Sequence, residues 1–278
     1  GYGDRSARPI FDCEPIPTYV TTAGDCDDNN GSAVPTETPI TPASVGALVG
    51  LASGCYLVKA EGGTYALNGF APSGSVQLTL MADDPADPPV FEGPSSGTTG
   101  PFTISSSSDM LLHGITIRGG GGTYWLLQMT SASADVTLVE TLLDGQDTAA
   151  GIRVTHGQLA LFDAKAEHLT SAAAGVALQG GKNAEFLIDG YFVSAASGPI
   201  ASVDIERDDA GFNTPFVADR IHVVGSPGIR LTEVGMAFNG LYVELSGLDL
   251  REVEGDGILF SSYYTDATIS RSVIVGAT

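Results

Sequence analysis

The residues best suited to chemistry lie in one acidic stretch near the start of the chain. This stretch, GDCDDNNGS (Gly24 to Ser32), places three carboxylates and two carboxamides around Cys26. Closely spaced Asp and Asn side chains supply the oxygen ligands that Ca²⁺ prefers, of which it takes about six to eight. The stretch alone leaves three interpretations open: a metal site, a flexible acidic turn, or part of an active site.

The segment that contains this stretch, residues 1–39, has a composition unlike that of the remaining chain. It is rich in Pro and in oxygen-bearing side chains and has few aliphatic positions that could form a core. Because so short a segment buries little apolar surface, another interaction must hold it in shape. A disulfide between Cys13 and Cys26 together with a calcium ion is one candidate, and a flexible acidic linker is the alternative. Cys55, in SGCYLVKA, is predicted to be a small buried hydrophobic residue.

Several residues of this segment stand in the order of a known repeat. The matching pieces are GYGD (Gly1 to Asp4), Cys13, TYV (Thr18 to Val20), DCDDNN (Asp25 to Asn30), Pro35 and Glu37. Their order resembles the MopE-type metal-binding repeat, and the likeness extends to thrombospondin type 3 calcium loops. The family carries further aspartates just before GYGD, so the resemblance is to a partial repeat. The metal ligands that the resemblance implies are Asp4, Asp25, Asp27, Asn29, Asn30 and Glu37. Calcium is the expected ion, and copper is disfavoured because the segment contains no His or Met.

Composition excludes two classes of partner. The chain has 278 residues, a formal net charge of −21 and a pI near 4.2, so it lacks the basic footprint of a protein that binds nucleic acid or anionic membranes. No run approaches the roughly 18 apolar residues that a membrane span needs. Scarce Lys and Arg together with three Cys indicate an extracellular or cell-surface protein. Cations, neutral glycans and protein surfaces remain as partners.

An internal repeat organises the chain from about residue 110 onward. One phrase recurs as LLHGITIRGG, LVETLLDG, KAEHLTSA, LIDGYFVSA, VADRIHVVGS, FNGLYVELSG and ISRSVIVGA, and a second alternates with it as YWLLQMT, GIRVTH, GVALQG, PIASVDIE, GIRLTE and GILFSS. Gly151, Gly175, Gly228 and Gly257 open four copies of the second phrase at steps of 24, 53 and 29 residues. Short strands at this period predict an all-β parallel solenoid, and a β-sandwich of short strands is the alternative.

The same residues resemble the right-handed parallel β-helix proteins of the pectin-lyase-like group. GCYLVKAEGGTYALNGF looks like the first turn of that fold, VQLTLMADD and PVFEG look like the strands that follow, and ITPASVGALVGLAS looks like its short N-terminal capping helix. The resemblance covers residues 40–278 and divides the chain there from the metal-binding module of residues 1–39. It implies a fold rather than an activity, because lyases, epimerases, hydrolases, adhesins and inert stalks share this fold.

Aligning the copies of the first phrase predicts which side chains share a face. The inward column is Ile117, Leu143, Leu169, Val193, Val223, Val243 and Ile274. The residues just before them face outward and include a stripe of rings at His168, Phe192, His222 and Tyr242, which could contact sugar rings or a partner, or be covered by a loop. A further outward column, Lys165, Asp189, Asp219 and Asn239, stacks two carboxylates that could hold a cation.

Catalytic constellations are weakly represented. The Lys and Arg residues scatter over different turns, the four His are spread along the axis, and the acidic patch DIERDDAGFN (Asp204 to Asn213) reads equally well as a loop. We therefore predict a calcium-binding β-helix with a structural or adhesive role, such as a stalk, fibre or surface-layer subunit. It would contact glycans through the ring stripe. Its C-terminal end, ISRSVIVGAT, has no recognisable cap and would pair with another chain or with more of the same chain. The alternative is a polysaccharide lyase, epimerase or hydrolase.

Overall fold

The computed structural model describes residues 40–42, 48, 51–72, 74–170, 176–197, 201–208, 216–234, 241–261 and 265–275. The predicted metal ligands of residues 1–39 and the predicted Cys13–Cys26 disulfide lie outside the described residues. The predicted capping helix lies partly outside them, and no α-helix occurs among the residues that are described. The division of the chain at residue 39 therefore stays a prediction. No helix in the described part is long and apolar enough to cross a membrane.

The described chain is built from short β-strands. In chain order they are β1 (Gly54–Val58), β2 (Thr64–Ala66), β3 (Gln77–Ala82), β4 (Val90–Glu92), β5 (Phe102–Ile104), β6 (Asp109–His113), β7 (Thr116–Arg118), β8 (Trp125–Met129), β9 (Asp135–Val139), β10 (Leu142–Asp144), β11 (Ala150–Thr170), β12 (Leu178–Ser197), β13 (Val203–Asp208), β14 (Phe216–Val224), β15 (Pro227–Val234), β16 (Leu241–Ser246), β17 (Asp249–Arg251), β18 (Glu254–Ser261), β19 (Thr265–Ser270) and β20 (Val273–Val275).

These strands wind around the core as three faces. Face A contains β1, β3, β6, β9, residues 158–162 of β11, residues 185–189 of β12, residues 216–219 of β14, β16 and β19. Face B contains β2, β4, β7, β10, residues 165–167 of β11, residues 192–194 of β12, residues 222–224 of β14, β17 and β20. Face C contains β5, β8, residues 150–154 of β11, residues 178–180 of β12, β13, β15 and β18.

All the ladders between the described strands are parallel, and each strand pairs with the matching strand of the next coil. A β-sandwich would instead pair its strands antiparallel through hairpins and Greek keys. The predicted all-β parallel solenoid is therefore confirmed. Stacking gives each coil backbone partners on the coil before it and the coil after it, which is why single strands of three residues persist here.

Apolar columns from all three faces fill the interior. On face B the inward column is Tyr65, Phe91, Ile117, Leu143, Ala166, Val193, Val223, Leu250 and Ile274. All of these side chains except Ile274 are at most 1% exposed. The predicted column was wrong at two positions, because Leu169 pairs with Ala196 and Val243 pairs with Phe216. A small residue, Ala166, and a residue of a separate strand, Leu250, take their places.

A single residue in the left-handed conformation forms the corner between faces A and B. Successive coils place Gly114, Glu140, Asp163, Gly190, Arg220, Gly247 and Arg271 at this corner, with φ between +48° and +91°. The distance between consecutive corner residues varies from 23 to 30 residues, since the other connections differ in length. Aligning the coils at a constant step therefore misplaces residues at the shortest coil, between Glu140 and Asp163. This explains why Leu169 was assigned to the inward column.

Two of the glycines that open the second phrase are required by close contact between coils. A Cβ at Gly151 would lie 2.1 Å from the carbonyl oxygen of Ala177, and a Cβ at Gly228 would lie 2.1 Å from that of Gly257. No side chain fits at such a distance. These two glycines of the repeated phrase therefore mark positions where the backbones of successive coils are in close contact.

Candidate functional site

Phe192 and His222 lie side by side on the outer surface of face B, as predicted. The strand register places Phe192 opposite His222, and the ring centroids are 6.0 Å apart at an interplanar angle of 41°. Phe192 is 37% exposed, which makes it one of the few large apolar side chains on the described surface. Lys165 precedes them in the same column and Asp249 follows. We call these four residues the Phe192 patch.

The two other predicted members of the ring stripe lie elsewhere. His168 follows face B at a corner with φ +50°, where its Nδ1 lies 3.2 Å from Oδ1 of Asp144. Tyr242 belongs to β16 on face A, where it pairs with Asp266. Lys165 and Asp249 occupy the corresponding positions of face B. The predicted aromatic stripe is therefore a single ring pair set among charged residues.

Local ion pairs compensate the charges of the Phe192 patch. Nδ1 of His222 lies 3.2 Å from Oδ2 of Asp249, and Nε of Arg251 donates to the other oxygen of that carboxylate at 2.7 Å. The hydrogen bond from Arg251 holds the pKa of Asp249 below its ordinary value. Lys165 Nζ lies 2.5 Å from Oε2 of Glu167. The patch thus presents donors and acceptors together around an exposed ring.

Asp189 and Asp219 are neighbours on successive coils, so their predicted pairing in register is confirmed. An arginine supplies the positive charge beside them. Nε of Arg220 donates to Oδ1 of Asp189 at 2.7 Å, and Nη1 donates to Oδ1 of Asp163 at 2.8 Å. Asp219 accepts a hydrogen bond from the hydroxyl of Ser246. Lys165 and Asn239 do not extend this column: Lys165 belongs to face B, and Asn239 lies outside the described residues.

Asp204, the first acid of the stretch DIERDDAGFN, is a buried ion-pair partner. It is 2% exposed, and its two carboxylate oxygens accept from Nε and Nη2 of Arg230 at 2.7 and 2.6 Å. The hydrogen bond to Asp204 raises the pKa of Arg230 above its ordinary value. This fork-to-fork geometry is the strongest arrangement of the two groups. The Asp204 carboxylate therefore forms a structural contact between two coils.

The histidines form separate pairs and do not converge. His113, His168 and His222 each lie 3.2 to 3.3 Å from one carboxylate, those of Glu140, Asp144 and Asp249. Among the described residues no group of three or more His, Cys, Asp or Glu side chains could hold a metal ion. The described surface therefore offers isolated pairs.

Cys55 occupies a buried position at the first coil, 8% exposed, with its Sγ 3.7 Å from Sδ of Met81. This burial agrees with the prediction that Cys55 is a small buried hydrophobic residue.

A polar row on face C was missed by the sequence reasoning. Its outward residues on successive coils are Thr103, Gln128, Arg153, Gln179, Asp204, Arg230 and Leu259. We call Gln128 to Arg230 the face C row. The second repeated phrase contained the signal, because LLQMT, GIRVT, ALQGG, SVDIE and GIRLT carry these residues at equivalent positions.

No known family model matches this chain, and comparisons with curated proteins and with solved structures give no match either. The fold and the contacts between coils are therefore the basis for any statement about function. The structure shows a parallel β-solenoid, and the likeness to pectin-lyase-like proteins beyond that stays a proposal.

Proposed function

We propose that the chain is a secreted or cell-surface structural protein of the adhesive type, whose solenoid contacts a neutral glycan through the Phe192 patch. The proposal rests on a difference between two kinds of side chain on the described surface. Charged side chains pair between successive coils, whereas the ring of Phe192 remains exposed. We also propose that the solenoid is a right-handed β-helix that resembles those of pectin-lyase-like proteins.

Pairing between coils supports the structural role. Arg118 lies 3.1 Å from Glu92, Arg230 binds Asp204, and Arg220 bridges carboxylates of two preceding coils. Each exposed pair contributes about 0–1 kcal/mol to stability. Their repetition along the axis adds side-chain contacts between coils to the backbone pairing, which suits an elongated structural subunit.

The chemistry of the Phe192 patch suits a sugar ring. An apolar ring face packs against the C–H face of a sugar, and nearby charged groups exchange hydrogen bonds with its hydroxyls. Because Lys165, His222 and Asp249 have oppositely charged or hydrogen-bonding partners, the patch has little net charge to attract an ionic ligand. A neutral glycan fits this balance.

Replacing the ring tests the proposal. Phe192→Ala should weaken binding to neutral oligosaccharides about tenfold, which corresponds to roughly 1.4 kcal/mol of lost contact. Leu187→Ala is the matched control, since Leu187 also points outward from β12 but lies on face A. Calorimetric titration across a panel of neutral oligosaccharides gives the affinities. Absence of any binding, or equal affinity for Phe192→Ala and the parent chain, would reject the glycan contact.

The alternative is an enzyme that cleaves or epimerises a polysaccharide. Such an enzyme needs a base and a charge-stabilising group that converge on the substrate, whereas the Phe192 patch and the corner at Arg220 hold their charges in mutual pairs. Incubation with uronate polymers tests for turnover. Appearance of unsaturated or shortened products would favour the enzyme over the adhesive protein.

A further inference from the structure

Two outward rows of side chains on face A form an apolar strip across the first five coils. The strand register aligns them over β1, β3, β6, β9 and residues 158–162 of β11. One row is Cys55, Thr79, Leu111, Thr137 and Ala160, and the other is Leu57, Met81, His113, Val139 and Phe162. The ring of His113 lies 3.3 Å from the carboxylate of Glu140. We call these ten residues the face A strip.

Several members of the face A strip are buried although they point outward. Cys55 and Leu111 are 8% exposed, and Thr137 and Val139 are 9% exposed. Their inward neighbours in β6 and β9 are fully buried as well. Parallel strands that are buried on both sides belong to sheets that carry a second layer. These exposures are those of a single chain, so the second layer belongs to the same chain.

The described strands do not supply this second layer, because each of them belongs to face A, B or C of the solenoid. Among the segments outside the described residues, residues 1–39 are by far the longest, and each of the others has at most seven residues. The segment with seven, residues 209–215, joins β13 to β14, two coils beyond the end of the strip. Residues 1–39 are therefore the segment that is long enough to cross five coils.

Residues 1–39 join the solenoid beside the first coil of the face A strip. The backbone N–H of Ile40 donates to the carbonyl of Leu57 at 2.9 Å, and the N–H of Lys59 donates to the carbonyl of Ile40 at 2.9 Å. Leu57 is the first residue of one of the two rows. Five coils make the strip about 19 Å long, and residues 21–39 reach up to about 60 Å when extended. The residues before them can therefore reach every part of the strip.

Residues 9–20, PIFDCEPIPTYV, have the composition of a covering segment. They contain five large apolar side chains, among them Phe11 and Tyr19, and three prolines. Proline favours an extended backbone and lacks an N–H donor, so such a segment suits contact through side chains better than pairing with a sheet edge. The two rows of the strip are about 7 Å apart, which matches the width of one extended segment. A second copy would need about 800 Å² per partner, more than so narrow a strip provides.

We propose that residues 9–20 dock on the face A strip of their own chain. The apolar side chains of this segment contact Leu111, Val139 and Phe162 and form the second layer over the first five coils. This interaction goes beyond the proposed function, which concerns the Phe192 patch on face B. Docking keeps an apolar surface of the solenoid away from water and from other proteins, and release of the segment would expose it.

Hydroxyl-radical footprinting of the full chain tests the docking, because oxidation follows the exposure of each side chain. The double variant Ile10→Asp, Phe11→Asp should raise the oxidation rate of Leu111 about fivefold, which is the ratio of the exposed fractions of Leu259 and Leu111, 41% and 8%. Leu259 points outward on face C and is the internal control, whose oxidation should not change. The variant leaves the residues of the solenoid unaltered.

The reciprocal variant tests the same contact from the strip. Leu111→Asp should raise the oxidation rates of Phe11 and Tyr19 to those of a synthetic peptide of residues 8–20, whereas Leu259→Asp should leave both rates at the values of the parent chain. Rates in the parent chain equal to those of the free peptide would overturn the docking, and so would unchanged oxidation of Leu111 in the double variant. Protection that appears only as the protein concentration rises would assign the contact to a second copy and overturn docking within one chain.

Discussion

At the residue scale, Arg220 combines two roles at the corner between faces A and B. It adopts a left-handed φ of +54° and its guanidinium reaches Asp189 and Asp163, which lie 31 and 57 positions earlier. A non-glycine residue in this conformation costs about 1–2 kcal/mol. The hydrogen bonds to two preceding coils offset part of that cost and explain why the corner tolerates an arginine.

Removing this arginine should loosen the corner. Arg220→Gln is expected to lower the free energy of unfolding by about 1 kcal/mol, since two partly exposed ion pairs disappear. Urea denaturation at low and high salt measures the loss, which should shrink at high salt because exposed pairs are screened. Arg271→Gln is the control at a corner position whose described side-chain contact is a 3.3 Å hydrogen bond to Ser246. Equal losses in both variants would contradict the stabilising role of the contacts that Arg220 makes with the two preceding coils.

Tyr191 should make the fold sensitive to alkali. Its side chain is fully buried and its hydroxyl donates to the carbonyl of Ala177 at 2.9 Å. Burial raises its pKa above that of an unfolded tyrosine, which is about 10. The unfolded chain therefore loses this proton first, so stability is intact below about pH 10 and falls as the pH rises further.

Tyr191→Phe is expected to flatten that alkaline decline while lowering stability at neutral pH by about 1 kcal/mol through the lost hydrogen bond. Denaturant midpoints measured from neutral to alkaline pH give both effects. Part of the decline should persist, because burial also raises the pKa of Tyr65. Tyr56→Phe removes an exposed hydroxyl and is expected to leave the profile unchanged.

At the element scale, the close stacking of successive strands determines at which backbone positions a side chain has room. Gly228→Ala would drive a Cβ to 2.1 Å from the carbonyl oxygen of Gly257. We expect a loss of about 1–3 kcal/mol in the free energy of unfolding, as for other overpacked sites. Gly54→Ala is the control, because its Cβ would meet the ring of Tyr56 at an ordinary 3.5 Å. Thermal melts with equal midpoints for both variants would contradict the close approach.

Removal of metal ions tests the calcium site that is predicted in residues 1–39. If Asp25, Asp27 and their neighbours bind calcium, the ion stabilises the folded segment by about 2.7 kcal/mol at a hundredfold excess over its dissociation constant. EDTA should then lower the melting temperature, and added calcium should restore it. The double variant Asp25→Asn, Asp27→Asn should no longer respond to EDTA. An unchanged melting temperature in the parent chain would remove calcium from the account.

At the scale of the whole molecule, the last coil described presents apolar side chains to solvent. Ile269 and Ile274 are 42% and 47% exposed, whereas Leu245 and Leu250, one coil earlier in the same columns, are 1% and 0% exposed. Burying such side chains contributes about 25 cal/mol per Å² of apolar surface. We propose that either a second copy of the chain or further residues of the same chain cover this surface, and the first case can be tested directly.

Sedimentation velocity checks this expectation. The parent chain should associate as its concentration rises, and Ile274→Lys should shift it towards the monomer because a charge cannot be buried in the contact. Val275→Lys is the matched control, since Val275 lies in the outward column that follows Arg251. A parent chain that stays monomeric at every concentration would contradict self-association.

Much of the architecture was predictable from the sequence because every coil of a solenoid repeats a similar pattern of apolar and polar residues. The alternating apolar residues of GITIRG, TLLDG and YFVSA predicted strands, and their period predicted parallel stacking. The inward positions of Ile117, Leu143, Val193 and Val223 followed from side-chain alternation. So did the neighbouring positions of Phe192 and His222 and of Asp189 and Asp219.

The tertiary structure alone decided the other side-chain contacts between coils. Register depends on the length of each connection, and those lengths vary, so the contact of Arg220 with Asp163 across 57 positions and the place of Lys165 beside Phe192 could not be read from a fixed step. The same holds for Arg153, whose neighbours Gln128 and Gln179 come from different coils. The period of the sequence determined the solenoid, because backbone pairing between coils needs only repetition. Its surface chemistry was decided by register, because each outward side chain faces the coils before and after its own.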